Sequence, residues 1–154
     1  MGIVSQNNVI RILSGYNQWW LTRSVQKQFL KPTRLTAFFE LLGLLRGGDT
    51  RTVYISGPHR TGKTALLHQL IAQLIDDGTD PKQIVYMNFS HTFFSFLPMA
   101  RFYSSFAESI CPDPEKRTFC FVDDAQLSPD WEKGVLALVR ENPNVTVIAS
   151  SAIR

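Results

Sequence analysis

An α/β fold, a parallel sheet between two layers of helices, follows from three observations. Four short runs of apolar and β-branched residues, 52–56, 83–89, 118–122 and 145–149, alternate with stretches of helical spacing, the pattern that lays strands parallel. The run Thr118-Phe119-Cys120-Phe121-Val122 is continuously apolar, as a strand covered on both faces should be. The chain has 154 residues, 44% hydrophobic and 19% charged. That is one domain by length, with apolar material for a substantial core.

Taken in order, Val9, Ile10, Ile12 and Leu13 predict a short helix within Asn8 to Leu21, interrupted at Gly15. Trp19 and Trp20 follow; adjacent residues cannot share one helix face, so at least one packs outside a simple amphipathic pattern. Pro32 is a breaker or helix-start residue. After it, Leu35, Phe38, Phe39, Leu42 and Leu45 form a core-facing stripe on a helix from Thr33 to Leu45 that Gly47-Gly48-Asp49 ends. Residues 1–50 therefore read as a helical segment leading into a core over 51–154. Within that core Thr52–Ser56 is the first strand, and a helix carrying Leu66, Leu70 and Leu74 runs to about Asp77, with Gly78 its stop. Asp80-Pro81 turns into the strand Gln83–Phe89. Ser90–Phe96 is ambiguous, Leu97–Ile110 reads as a helix, and Cys111-Pro112-Asp113-Pro114 closes it. The helix Pro129–Glu141, with Trp131, Val135, Leu138 and Val139 inward, leads through Asn142-Pro143-Asn144 to the last strand, Val145–Ala149.

Between the first strand and its helix lies Gly57-Pro58-His59-Arg60-Thr61-Gly62-Lys63-Thr64, which fits Gly-x-x-x-x-Gly-Lys-[Ser/Thr] at every fixed position. Strand before and helix after are the setting that this phosphate-binding loop, Walker A, requires. Gly57 and Gly62 are expected to supply backbone angles closed to other residues, turning successive N–H groups onto a phosphate. The helix starting near Lys63 adds its positive dipole end. Lys63 reaches the β- and γ-phosphates of a nucleotide, and the Thr64 hydroxyl meets the Mg²⁺ that bridges them. The nucleotide-binding set is thus Gly57, Pro58, His59, Arg60, Thr61, Gly62, Lys63, Thr64 and Ala65. Trp19 and Trp20 anchor the N-terminal segment on the core, a place beside the adenine being the alternative.

Ligand chemistry in parallel sheets lies at the carboxyl ends of the strands. Asp123, after a run of large apolar residues, has the Walker B pattern, and a carboxylate there fixes the metal against Thr64. Asp124 beside it orients or deprotonates an attacking water. Ser150 closes the next strand, where it either contacts the γ-phosphate or water, or is a plain turn serine. The catalytic set is Lys63, Asp124 and Ser150; the metal set is Thr64 and Asp123. A strand between the two motifs and a second acid favour an ATPase over a small-molecule kinase.

Other classes find little support. The net charge of +3 comes from scattered basic residues, and neither it nor Phe93, Phe94, Phe96, Phe102 and Tyr103 makes a nucleic-acid surface, the aromatics being expected in the core. Gly2 meets part of a myristoylation pattern, but Gln6 stands where Ser or Thr is wanted. Neither a signal peptide nor an apolar run of membrane-spanning length is present. Cys111 and Cys120 cannot build a disulfide framework, and a reducing cytoplasm fits them. His91 has no second His or Cys at metal spacing.

Asn17-Gln18-Trp19-Trp20, Gly57–Thr64, Phe121-Val122-Asp123-Asp124-Ala125-Gln126 and Pro129-Asp130-Trp131-Glu132 together resemble one family. It is the prokaryotic AAA-type P-loop ATPases that usually carry a C-terminal domain of unknown function, relatives of the archaeal ATPases. The resemblance implies a three-layer αβα P-loop fold of AAA/ASCE type and Mg–ATP as ligand. It puts Asp124 in the catalytic glutamate's place and Ser150 in the first sensor's. Asp124 is one methylene shorter than glutamate, and His59 replaces an arginine. The chain stops at Arg154, truncated after the fourth strand, so the family's fifth strand, helical lid and C-terminal domain are expected from a missing domain or a partner chain, and Arg154 is no arginine finger. The expected function is ATP binding with slow hydrolysis. The alternatives are a nucleotide-binding module or fragment without turnover, and a P-loop kinase of a small acceptor.

Overall fold

The computed structural model describes residues 5–31, 36–58 and 61–152. Its framework is a four-stranded sheet of β1 (Thr52–Gly57), β2 (Ile84–Asn88), β3 (Thr118–Asp123) and β4 (Val145–Ala152), in the order β1-β4-β3-β2 and parallel throughout. Helices α1 (Gln6–Tyr16), α2 (Trp19–Thr22), α3 (Ala37–Gly47), α4 (Lys63–Asp76), α5 (Met99–Ser109) and α6 (Trp131–Glu141) surround it. Because α4 crosses the whole sheet from β1 to β2, and β4 then enters between β1 and β3, the strands that lead into Gly57 and into Asp123 stand one strand apart.

Strand alternation separates the faces. Tyr86 packs on His68 of α4, while Tyr54 packs on Trp131 of α6 and Thr118 bonds Tyr103 of α5. In register, Tyr86 belongs to one face and Tyr54 and Thr118 to the other. So α3 and α4 form one layer, and α1, α5 and α6 the second. One apolar cluster runs from Val9 through Phe38, Leu70 and Phe121 to Ala149.

The N-terminal segment closes the β2 edge. An unpaired edge exposes backbone groups that invite non-native pairing. Here the Asn17 amide stands in for a strand: its Oδ1 accepts from the Tyr86 N–H at 2.6 Å and its Nδ2 donates to the Tyr86 carbonyl at 2.9 Å. The indole N–H groups of Trp19 and Trp20 both donate to the Ile84 carbonyl, at 3.2 and 2.7 Å. Both tryptophans are buried, Trp20 stacked on Phe106 of α5 and Trp19 edge-on to His68 of α4. Anchoring is what these residues do.

Several expectations need correction. α1 passes straight through Gly15 and ends at Tyr16, before Asn17, whose backbone leaves the helical region. Phe39 is 65% exposed and lies edge-on against Phe38, since one residue's rotation of about 100° carries it off the buried stripe; Leu41 takes the inward place instead. Pro32, Thr33 and Leu35 lie outside the described residues, as do Gly2 and Arg154. Trp131 and Val139 are only half-buried, and α5 begins at Met99. The ambiguous stretch is a 3₁₀ turn, Thr92–Phe94, with Phe94 buried and Phe93 and Phe96 exposed. Gly78 does stop α4: at φ +107° it lets its own N–H and that of Thr79 reach back to Ile75 and Leu74, the closing pair of a Schellman motif.

Candidate functional site

The head of α4 carries the first half of the site. Gly62 has φ +91°, a conformation costly for any residue with a Cβ, and caps the helix by accepting from the Leu66 N–H. The next N–H groups have no partner inside the helix and point out of its positive end. Gly57 behaves otherwise than expected. It is the last residue of β1, its φ is not in the left-handed region, and an added Cβ would meet Thr61 Oγ1 at 3.6 Å and Lys63 Nζ at 3.9 Å, ordinary contacts. Its value is the proximity of that ammonium, not its own conformational freedom. Lys63 is buried and donates to the carbonyls of Gly57 and Pro58 at 2.7 and 2.5 Å, and Thr61 donates to the Pro58 carbonyl as well. His59 and Arg60 lie outside the described residues.

The second half is the Asp123 carboxylate, 1% exposed at the end of β3. One oxygen, Oδ2, accepts from the Thr64 hydroxyl at 2.7 Å and from the Tyr86 phenol at 2.7 Å. The other, Oδ1, accepts from the Ser150 hydroxyl at 2.6 Å and the Asp124 N–H at 3.2 Å. Four donors thus offset the cost of burying the charge. Asp124 is left-handed at φ +48°; Gln126 Nε2 lies 3.4 Å from its Oδ1, and Gln126 in turn accepts from the Ala152 N–H. Ser150 lies inside β4, which continues to Ala152 instead of ending near Ala149, and it is fully buried. Its hydroxyl spans Asp123 and the Asp124 N–H.

Gly62, Lys63, Thr64, Ala65, Asp123 and Asp124 line one cleft of about 500 Å³, together with His68 and with Gln28, Phe29 and Lys31 of the N-terminal segment. His68 lies one turn below Thr64, and its Nδ1 is 2.9 Å from the Thr64 carbonyl. A carbonyl only accepts, so Nδ1 carries the proton. Burial lowers the His68 pKa against the opposing pull of that carbonyl and of Asp123, so the ring is neutral near pH 7. Burial and then the Asp123 charge hold the Tyr86 phenol well above its ordinary value, so it stays a donor.

A family profile described as an AAA domain matches residues 49–154. The chain belongs to the AAA domain family. An uncharacterized protein of Haemophilus influenzae is 28% identical over 99 residues, which cover 64% of this chain and 25% of that protein. The chain therefore matches about a quarter of that relative's length. Caenorhabditis elegans PCH-2 aligns over 97% of this chain and 36% of its own, at 17% identity and a TM-score of 0.43. The AAA assignment and the sheet together make this an AAA-type P-loop ATPase-like core, of a family that generally uses ATP and Mg²⁺.

The sequence reading of this AAA core missed Tyr86, Asn88, His68 and the cleft wall of Gln28, Phe29 and Lys31. A signal for two of them was present. Tyr86 and Asn88 are polar residues two apart in a fully buried strand, and so share a face that must supply them with partners.

Proposed function

We propose that the chain binds ATP with Mg²⁺ and hydrolyses it slowly. One observation carries this reading: the Thr64 hydroxyl meets the Asp123 carboxylate at 2.7 Å beside Lys63, in the cleft that Asp124 also lines. A hydroxyl and a carboxylate oxygen, with no cluster of three or more His, Cys, Asp or Glu among the described residues, suit Mg²⁺. That ion takes one or two protein oxygens, keeps several waters, and when bound neutralises charge between the β- and γ-phosphates.

The residues divide the remaining work. Lys63 exchanges its loop carbonyls for phosphate oxygens, and the free N–H groups of α4 donate beside it. Asp124 orients the attacking water and accepts its proton. Ser150 acts through Asp123 and the Asp124 backbone, holding the two acids apart. Turnover is slow because an aspartate at this place falls about 1.5 Å short of a glutamate. The Gln126 contact to Asp124 favours a second reading, in which Asp124 is held as a structural residue and ATP is bound without hydrolysis. Phosphate release by Asp124→Glu separates them: it exceeds that of the native chain if Asp124 handles the water, and stays at background if the domain only binds.

Residues 1–50 act as the helical lead-in of the 51–154 core, a reading supported by the apolar cluster that joins the described residues of both. The outer edge of β1 has no partner strand among the described residues, and Tyr54 on it is 51% exposed. A further strand and a lid, from additional chain or a partner, would complete the cleft. Among the described residues no helix is long and apolar enough to cross a membrane, and Cys111 and Cys120 are free thiols. Both are compatible with a cytoplasmic setting.

A further inference from the structure

Asp123 has one partner to which the hydrolysis scheme assigns nothing. The Tyr86 hydroxyl reaches its Oδ2 from the neighbouring strand at 2.7 Å and itself accepts from Asn88 Nδ2 at 3.1 Å. Asn88 is fixed in turn, its Oδ1 accepting from both the N–H and the hydroxyl of Ser90. The backbone of Tyr86 is clamped on both sides, by β3 in register and by the Asn17 amide at the open edge, while its ring rests against His68 and Trp19.

We propose that Tyr86 is a positioning residue for the Mg²⁺ site, held by the N-terminal segment through Asn17 and in turn fixing Asp123 Oδ2 toward Thr64. This rests on the nucleotide reading above. Of the two donors on Oδ2, the Thr64 hydroxyl is the one that a metal would engage. The metal would take a lone pair of that hydroxyl, whose proton stays available to Oδ2. The phenol is then the one donor on Oδ2, among the described residues, that is independent of metal and nucleotide, whereas Oδ1 has two such donors, Ser150 and the Asp124 N–H. Partners that orient a metal ligand typically set metal affinity by 10- to 100-fold. Tyr86 meets α4 at His68, one turn past Thr64, while Lys63 is bonded to the loop carbonyls of Gly57 and Pro58. Loss of the Tyr86 phenol should therefore separate metal affinity from nucleotide affinity.

The test titrates Mg²⁺ against binding of a fluorescent ATP analogue, and measures analogue binding without Mg²⁺, for the native chain, Tyr86→Phe and Trp20→Phe. Trp20→Phe removes a hydrogen bond from the same strand edge, at the Ile84 carbonyl, without approaching Asp123. Thermal midpoints record what each change does to the fold. The expected result is a half-saturating Mg²⁺ concentration raised roughly tenfold in Tyr86→Phe, with Mg²⁺-free binding unchanged and no such shift in Trp20→Phe. An unchanged Mg²⁺ requirement in Tyr86→Phe, or an equal shift in both variants, overturns the role of Tyr86 while leaving the nucleotide reading intact. Absence of Mg²⁺-dependent binding in the native chain overturns the nucleotide reading and the role of Tyr86 with it.

Discussion

His68 shows what a single buried side chain adds to this site. It lies between Thr64 above, Phe29 stacked at 4.6 Å and Tyr86 at 4.7 Å, with Asp123 the charged group acting on it. Its folded pKa is lowered from 6.5, so below that pH the unfolded chain takes up a proton that the folded chain resists. The linked stability is fully present above about pH 6.5 and is lost as pH falls. The thermal midpoint should thus drop between pH 7 and pH 5, and His68→Gln should flatten that part of the profile; an unchanged slope would contradict the assignment. Lys63, Thr64 and Asp123 were legible because a fixed spacing and a strand end announce them. His68 and Tyr86 were not, because their roles depend on which strand lies beside which, and no local pattern encodes that.

Among the elements, the β2 edge depends most on one short segment. Asn17 is 1% exposed and satisfies both backbone groups of Tyr86. Replacing it by Leu leaves a buried N–H and a buried carbonyl without partners, at about 1–3 kcal/mol each. Urea unfolding of Asn17→Leu should show a loss of about 3 kcal/mol, with faster hydrogen exchange at the Tyr86 amide. A loss below about 0.5 kcal/mol would mean that the edge is held by the tryptophans alone. The Asn-Gln-Trp-Trp run was legible as an anchor from its composition, but what it grips was not: an edge exists only once strand order is known. Helix α1 was misread at Gly15 for a related reason, since packing on α5 and β2 outweighs the modest helical cost of one glycine.

For the whole molecule, alternation of strands and helices was enough to give a parallel three-layer fold, while the order β1-β4-β3-β2 came only with the structure. That order sets the two acids, the lysine and the threonine around one cleft and leaves β1, among the described residues, with no strand on its outer side. The central claim is that this cleft binds Mg–ATP through the head of α4. Calorimetric titration of Mg–ATP into the native chain and into Lys63→Ala tests it most directly, with both confirmed folded by circular dichroism. The account predicts saturable binding by the native chain and at least tenfold weaker binding by the variant, as loss of a charge-assisted phosphate contact worth about 1.5–3 kcal/mol requires. Equal binding by both, or none by the folded native chain, would contradict it.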